Sequence, residues 1–482
     1  MTRPVVSFRD PAGTCCVLPN RVLRWVSATA RDAFEAFLGS PTAAALEQRS
    51  LILATRRLTS DERQALTTDP SIPPGWLPAD PAAALFEHPR IPFPSYPHEW
   101  PPEMLWEAGR LTLEIARLAL AEGWGLKDAT PLNVMFQAGQ AVLIDLPSFE
   151  RRAPADAVWR PYAQFVRTFL LPLLAHRLWS VPLADVFLNR RDGLEPEEVY
   201  AHCGYLTRLR PSVLNLVSVP TWLRRGSRKS ATTLYEPRPT APDKARFIVE
   251  SLLGRLTRSL ERLKPVRHGR TAWSDYMQTH SYRGEAFGAK ESFVERALKT
   301  VQARRVLDIG ANTGHFSALA AKAGAAVVAL DLDPVCVGAI WQRTQAERLN
   351  LLPLVVNLAR PSPAVGWRNR EWPAFLERAR GAFDCLLMLA VLHHLLVTER
   401  IPLDEVIDLA AELTTDAVVL EFVDPADEMF RQLTRGRDHL HAALTPAVFE
   451  ASCQRHFVIA DAADVPGSRR RLYLLRKPTA TV

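Results

Sequence analysis

The stretch that decides the fold of this chain is RRVLDIGANTGHF, residues 304–316. A short apolar run leads into an acid, Asp308, and two glycines four residues apart, Gly310 and Gly314, follow it. This order predicts a strand that ends in a turn whose backbone lies close to a ligand, because glycine allows both unusual backbone angles and close approach. Such a turn requires a sheet around the strand.

The C-terminal part of the 482-residue chain alternates short apolar runs with helical patterns. Seven runs have the length and composition of strands: RRVLDIG, AAVVALDLD, LLPLVVNL, FDCLLMLA, DAVVLEFV, HFVIADAA and RRLYLLRK. Their alternation with helices predicts parallel strands joined by crossover helices. The expected fold of residues 271–482 is therefore a doubly wound α/β domain, with a Rossmann-like sheet.

The acids around the glycine turn indicate which cofactor the domain binds. Asp331 and Asp333 end the second strand about 20 residues after the turn, where a carboxylate can accept hydrogen bonds from both hydroxyls of a ribose. A dinucleotide site requires a glycine in the middle of the turn, and none is present in Gly310-Ala-Asn-Thr-Gly314. Asp308 would repel a pyrophosphate but could accept a hydrogen bond from an ammonium group, as in S-adenosylmethionine. The charge at this position favours a methyl donor.

These residues resemble the first motif of class I S-adenosylmethionine-dependent methyltransferases. The resemblance implies that Asp331 binds the ribose and that Asp333 lies near the adenosine. Asn357 falls where many members carry an acid for the adenine amino group, which an amide carbonyl can also contact. The predicted cofactor site thus comprises Asp308, Gly310, Asn312, Gly314, Asp331, Asp333 and Asn357.

Three residues after the fourth and fifth strands are candidates for catalysis. His393 or His394, in LMLAVLHHLL, could take a proton from a substrate hydroxyl because imidazole titrates near neutral pH. Adjacent histidines on a helix face different ways, so at least one is expected to pack or cap. Glu421 is a second candidate, as a base or as an anchor for the substrate. The chain lacks the Asn/Asp-Pro-Pro-Tyr/Phe sequence of amino-group methyltransferases and a Pro-Cys nucleophile, which leaves an oxygen or carbon acceptor on a small molecule or glycan.

The N-terminal part contains a second pattern, GWGLKDATPLNVMFQAGQAVLIDLPSFE. The positions of Asp128, Asn133 and Asp145 resemble the catalytic loop and metal-binding strand of protein kinases and small-molecule phosphotransferases. Residues 1–126 nevertheless contain no lysine and no G-x-G-x-x-G sequence to hold nucleotide phosphates. We therefore predict a kinase-like α+β domain over residues 1–220 that does not transfer phosphate.

Positive charge is concentrated between these two parts. The net charge is +7, yet residues 221–270 alone hold 13 Lys or Arg against 4 Asp or Glu, a local charge of +9. This composition predicts a solvated basic linker followed by an amphipathic helix, ARFIVESLLGRLTRSLERLK; a surface that steers an anionic substrate is the alternative. Its aromatic residues, Trp222 and Tyr235, are too few for a platform that stacks nucleic-acid bases, so no specific nucleic-acid binding is expected.

A wider resemblance covers residues 85–480. The segments RIPFPSYPHEWPPEM, GLKDATPLNV, LIDLPSFE, VLDIGANTGHFS, NLARPSPAVGWRNRE and LAVLHHLL resemble a bacterial family of methyltransferases related to rhizobial nodulation proteins. The resemblance implies a two-domain methyltransferase whose kinase-like domain binds or positions the substrate. A bifunctional kinase and methyltransferase, a nucleic-acid methyltransferase and a non-enzymatic interaction protein are the alternatives.

Composition sets the remaining expectations. Six scattered cysteines without a CxxC pair favour a reducing compartment, and the N-terminus lacks the apolar core of a signal peptide. No apolar stretch approaches the roughly 20 residues of a membrane helix. The sequence thus predicts a cytoplasmic protein with no membrane span and no metal site.

Overall fold

The computed structural model describes residues 5–226, 240–265 and 284–478. Part of the predicted basic linker, including Arg228, Lys229 and Tyr235, lies outside the described residues, as does the predicted start of the C-terminal domain. The linker boundaries at 220 and 270 therefore stay predictions. The chain divides into two compact units: a first unit of Met1–His98, Pro102–Val266 and Val365–Trp372, and a second unit of Glu99–Pro101, Arg267–Ala364 and Pro373–Val482.

The first unit begins with a five-stranded antiparallel sheet in the order β1-β2-β3-β5-β4. Alternate residues of its strands, such as Cys16, Leu23 and Leu85, are buried against Ile72 and Trp76. Two short hairpin-like sheets, β6 with β9 and β7 with β8, follow it. The strands are β1 (Val5–Val6), β2 (Gly13–Val17), β3 (Arg21–Val26), β4 (Arg56–Arg57), β5 (Ala84–Pro89), β6 (Trp124–Leu126), β7 (Val134–Gln137), β8 (Gln140–Leu143) and β9 (Phe149–Arg151).

Helices make up most of the rest of the first unit, so the predicted mixture of sheet and helix is confirmed. The amphipathic helix predicted in the basic region exists and packs on α4, where the indole N–H of Trp106 donates to the Leu260 carbonyl at 3.0 Å. The helices are α1 (Ala28–Leu38), α2 (Pro41–Gln48), α3 (Ser60–Leu66), α4 (Pro102–Ala121), α5 (Tyr162–Phe165), α6 (Leu171–Trp179), α7 (Leu183–Phe187), α8 (Pro196–His202), α9 (Tyr205–Arg208), α10 (Pro211–Val213), α11 (Val219–Gly226) and α12 (Pro242–Arg262).

The second unit is built on a seven-stranded sheet in the order β12-β11-β10-β13-β14-β16-β15. All seven predicted runs form strands, and the first five are parallel. The expectation of parallel strands throughout is wrong for β16, which pairs antiparallel with both of its neighbours, β14 and β15. Only five residues connect β15 to β16, fewer than the dozen or so that a parallel crossover needs. The strands are β10 (Arg305–Ile309), β11 (Ala326–Asp331), β12 (Leu351–Val355), β13 (Phe383–Met388), β14 (Thr414–Val423), β15 (Val458–Asp464) and β16 (Arg470–Arg476).

The order of the strands reverses at β10, which lies between β11 and β13. In doubly wound sheets a crevice forms at this switch point, beyond the carboxyl ends of the strands. Val306 and Leu307 of β10 are both fully buried, because helices cover both faces of the sheet. These helices are α13 (Glu285–Val301), α14 (His315–Lys322), α15 (Pro334–Glu347), α16 (Phe375–Ala379), α17 (Leu403–Leu413), α18 (Glu428–Thr434) and α19 (Pro446–Cys453).

Among the described residues, no helix is both long enough and apolar enough to cross a membrane.

Candidate active site

The glycine turn follows β10 at the switch point. Gly310 and Gly314 have φ angles of +73° and +78°, in the left-handed region that side chains disfavour. A Cβ atom at Gly314 would lie 2.9 Å from Cγ1 of Ile340 on α15, and one at Gly310 would lie 3.1 Å from Cγ2 of Val391. Both positions therefore require glycine for two reasons: the backbone is left-handed, and a Cβ atom would lie too close to a neighbouring side chain.

Asp331 fixes the turn to the end of the second strand. Its Oδ2 accepts a hydrogen bond from the backbone N–H of Asn312 at 2.8 Å, and its Oδ1 accepts one from the N–H of Asp333 at 2.9 Å. Burial raises the pKa of Asp331, and these backbone hydrogen bonds oppose the rise. Each carboxylate oxygen can accept a second hydrogen bond, so the group can still bind the two hydroxyls of a ribose.

A cavity of about 510 Å³ opens beside this turn. The structure brings five predicted site residues together around it: Gly310, Asn312, Asp331, Asn357 and His394. They come from the ends of four neighbouring strands, β10 to β13, that are far apart in sequence. The size of the cavity falls within the range of small-molecule and cofactor sites.

Asp308, Gly314 and Asp333 do not line this cavity. Asp308 is 3% exposed, accepts a hydrogen bond from the Ser317 hydroxyl at 2.5 Å, and has its pKa raised to about 6 by burial. Asp333 caps α15 by accepting from the N–H of Val335 at 2.8 Å. Direct contact of these three residues with a cofactor stays a prediction.

Asn357 lines the cavity with an amide whose oxygen is already engaged. Its Oδ1 accepts a hydrogen bond from the backbone N–H of Ala359 at 2.9 Å. The sequence suggested that this carbonyl would accept from the adenine amino group. An amide oxygen can accept a second hydrogen bond, so the contact with the adenine amino group stays a prediction.

The two adjacent histidines have different surroundings. His394 lines the cavity, whereas His393 is 1% exposed and neither of its ring nitrogens has a hydrogen-bond partner in the part of the chain that the structure describes. Burial is the main cause that lowers the pKa of His393 to about 3 and that of His394 to about 4. Both rings are therefore neutral at pH 7, able to accept a proton but only as weak bases.

Glu421 lies at the centre of a buried network of charges. Its side chain is completely excluded from water and pairs with Lys290 at 2.5 Å and with Arg470 at 3.3 Å. Arg470 also pairs with Asp427 at 3.1 Å. These pairings favour a role for Glu421 in holding α13, β14 and β16 together, because a carboxylate between two cations is a poor base.

Lys290 and Arg470 were not among the residues predicted from the sequence. A signal for Lys290 was present, since it falls on the apolar stripe of α13 with Phe293, Val294 and Ala297, at intervals of three, four and seven residues. A lysine in such a stripe requires a buried acid. Arg470 carried no comparable signal, because it stands among the polar residues at the edge of the apolar run that forms its strand.

In the first unit, Asp145 meets a cation that the sequence analysis did not identify. Arg24, on β3, lies 3.4 Å from Asp145 and directs its guanidinium to that carboxylate. Asp128 accepts a hydrogen bond from Gln164 at 3.3 Å, and Nδ2 of Asn133 is buried with no partner among the described residues. Arg24 could have been found from its position on the third strand. The prediction considered only that this region of the chain lacks a lysine.

Residues 282–457 match the family described as a methyltransferase domain. They contain the glycine turn, Asp331 and both histidines. Residues 282–457 are a methyltransferase domain. The chain thus contains an S-adenosylmethionine-dependent methyltransferase domain, and the methyl donor predicted from Asp308 and Asp331 is confirmed as its cofactor.

The methyltransferase is similar over nearly its full length to the nodulation protein NoeA of Rhizobium meliloti (strain 1021). The two are 26% identical over 472 residues, which cover 98% of this chain and 95% of NoeA. Among solved structures, the N-methyltransferase NodS from Bradyrhizobium japonicum WM9 is 16% identical to this chain, with a TM-score of 0.31. The match covers 41% of this chain and 99% of the NodS chain. The bifunctional kinase-methyltransferase WbdD is 20% identical with a TM-score of 0.30, covering 44% of this chain and 42% of its own.

Proposed function

We propose that the chain transfers a methyl group to an oxygen or carbon atom of a small molecule or glycan. The observation that carries this proposal is the meeting of Asn312, Asp331 and His394 in one cavity. The first two belong to the predicted cofactor half of the site, and His394 belongs to the predicted acceptor half. A cofactor and an acceptor bound there would share one enclosed space, which methyl transfer requires.

The residues around the cavity fit the cofactor part by part. Asp331 would hold the ribose hydroxyls, the Asn357 amide would contact the adenine, and the backbone at Gly310 would allow close approach of the sugar. S-adenosylmethionine supplies an electrophilic methyl group on its sulfonium. The chain itself then has to place an acceptor atom in line with that group and to provide for the proton the acceptor loses.

His394 is the residue we assign to the acceptor. It lines the cavity, and its pKa, lowered mainly by burial to about 4, keeps the ring neutral over the physiological range. A neutral imidazole can accept a hydrogen bond from an acceptor hydroxyl and take its proton as the methyl bond forms. His393 and Glu421 lie behind it as buried supports, so we place them in a positioning role.

The same proposal includes the N-terminal domain, residues 1–220. This domain is a kinase-like scaffold that positions the acceptor and does not transfer phosphate. The Arg24 guanidinium next to Asp145 supports it, because a carboxylate that binds Mg²⁺ would have to give up this pair. Residues 221–270 would then act as a connector and residues 271–482 as the methyltransferase domain. A cytoplasmic location fits the six free thiols.

The experiment that tests the proposal uses the full chain and methyl-labelled S-adenosylmethionine. The protein is incubated separately with the small-molecule, glycan, RNA and DNA fractions of its own cells. We expect label in the small-molecule or glycan fraction, and a rate that falls at least tenfold in His394→Ala while S-adenosylmethionine still binds. Label that enters RNA or DNA at physiological salt, and is lost when Arg224 and Arg225 are neutralised, would overturn the proposal.

A further inference from the structure

A second cavity, of about 410 Å³, adjoins the first within the methyltransferase domain. The two share Val397, Arg400 and Arg437 in their walls. Apart from these shared residues and a few polar neighbours, its lining is aliphatic: Leu396, Ile401, Leu403, Leu440, Leu444 and Val448. Leu440 and Val448 are 64% and 49% exposed, so the apolar wall continues to the surface. An apolar ligand would bury these side chains.

Three arginines surround the junction of the two cavities. Arg400, Arg435 and Arg437 all line the cofactor cavity, and two of them also line the apolar one. Among the described residues none of the three forms an ion pair. The nearby Glu399, which also lines the cofactor cavity, lies 3.9 Å from a different cation, Arg360. The junction therefore carries an excess of positive charge that a bound anion would balance.

The backbone is left-handed at two of these arginines. Arg400 and Arg435 have φ angles of +57° and +50°, in the left-handed region. This conformation costs a residue with a side chain roughly 1–2 kcal/mol, and glycine or asparagine would adopt it at a lower cost. Arg435 is the residue that ends α18, where a left-handed conformation commonly terminates a helix, so its φ angle fixes where this arginine leaves the helix.

We propose that the methyl acceptor is an amphipathic anion. Its apolar body occupies the second cavity, and its carboxylate or phosphate binds Arg400, Arg435 and Arg437 at the junction. This inference rests on the proposed function, because it names the chemical class of the acceptor for the same site. Arginine donates paired hydrogen bonds to carboxylate and phosphate alike, so the head group is left for the experiment to distinguish.

The test is isothermal titration calorimetry on the full chain saturated with S-adenosylhomocysteine. Four probes are titrated below their aggregation limits: decyl phosphate, decanoate, decanol and inorganic phosphate. We expect one of the two charged decyl probes to bind at one site at least tenfold more tightly than decanol and than inorganic phosphate. Shortening the better probe by two methylenes should weaken it about fourfold per methylene.

The variants assign the two halves of the site. Arg400→Gln/Arg437→Gln should lower the affinity for the charged probe at least tenfold and leave decanol unchanged. Leu440→Asn should weaken the better charged probe and decanol alike and leave inorganic phosphate unchanged. Arg380→Gln is the matched control, since it removes one exposed charge elsewhere in the domain and should leave every affinity unchanged. Arg435→Gln serves as a second test if the double variant does not fold.

The inference is overturned if decanol or inorganic phosphate binds as tightly as the charged probes. It is also overturned if Arg380→Gln weakens binding as much as the double variant does. Titration of S-adenosylhomocysteine into the same proteins distinguishes failure of this inference from failure of the proposed function. A chain that binds S-adenosylhomocysteine but no charged decyl probe contradicts this inference alone, whereas a chain that binds neither contradicts the proposed function too.

Discussion

The backbone N–H of Asn312 donates a hydrogen bond of 2.8 Å to Oδ2 of Asp331. The two residues are 19 positions apart, on adjacent parallel strands and their turns. One carboxylate therefore holds the glycine turn in place and presents its remaining acceptor sites to the cofactor cavity. Cofactor affinity and the geometry of the turn depend on the same side chain.

Asp331→Ala should weaken the binding of S-adenosylmethionine by about 2 kcal/mol, roughly thirtyfold, because hydrogen bonds to a charged group are lost. Calorimetry on the folded variant measures this change. Asp384→Ala is the control, since Asp384 also accepts backbone hydrogen bonds, from Arg304 and Arg305, but at the opposite end of β10. Undiminished affinity in folded Asp331→Ala would refute the assignment of the ribose.

Gly314→Ala should destabilise the domain more than Gly467→Ala does. Both glycines have similar φ angles, +78° and +68°, so both variants incur the strain of a left-handed alanine. Only at Gly314 does the new Cβ meet another side chain, 2.9 Å from Ile340, whereas nothing lies within 4 Å at Gly467. Urea unfolding should give a loss of about 1 kcal/mol at Gly467 and about 1–3 kcal/mol more at Gly314. Equal losses would show that α15 moves away without cost.

Glu421→Gln should destabilise the domain by about 3–5 kcal/mol, because Lys290 and Arg470 would stay buried without their shared anion. Chemical unfolding measures the loss. Glu412→Gln, which breaks an exposed pair with Arg380, should cost less than about 1 kcal/mol. If Glu421→Gln keeps full stability and loses only turnover, Glu421 acts as a base and not as a support.

The pKa of His393, lowered by burial to about 3, predicts a pH-dependent stability. Below the unfolded value of about 6.5 the unfolded chain binds a proton that the folded ring does not, so stability is lost as the pH falls from 6.5 towards 3. Replacing the ring by leucine removes this penalty. Between pH 7 and pH 4.5, His393→Leu should gain about 2.5 kcal/mol relative to the wild type.

Urea unfolding of both proteins at several pH values measures this gain. Asp308, whose pKa is raised to about 6 mainly by burial, has the opposite dependence, but it is present in both proteins and cancels in the difference. A constant difference between the two proteins across this range would mean that His393 titrates normally in the folded state.

The first unit should neither hydrolyse ATP nor transfer its phosphate, even with Mg²⁺. The physical reason is the pair between Arg24 and Asp145, together with the absence of lysine before Lys127. Phosphate release and labelling with γ-labelled ATP measure the activity, and heat-denatured protein gives the background. A phosphorylated product that disappears in Asp145→Asn would establish the bifunctional alternative.

The strands and the cofactor turn were predictable because they depend on local patterns. Runs such as VVALDLD are strands in any context that buries both faces, and a turn with glycines at 310 and 314 admits few conformations. The antiparallel β16 was not predictable from its own residues. Its direction follows from the short connection at Gly467, whose consequence appears only when β15 and β16 are adjacent.

The sequence by itself determined the doubly wound sheet, the methyl-donor cofactor and the identity of Gly310, Asn312, Asp331 and Asn357 as cavity residues, because strand order and turn chemistry are encoded locally. Only the tertiary structure decided that Asp331 lines the cavity and that Asp308 and Asp333 do not. It buried His393 and Glu421, and it placed the three arginines of the junction beside an apolar wall. Burial and charge pairing depend on residues distant in the chain, such as Lys290 with Glu421, and no local pattern contains that information.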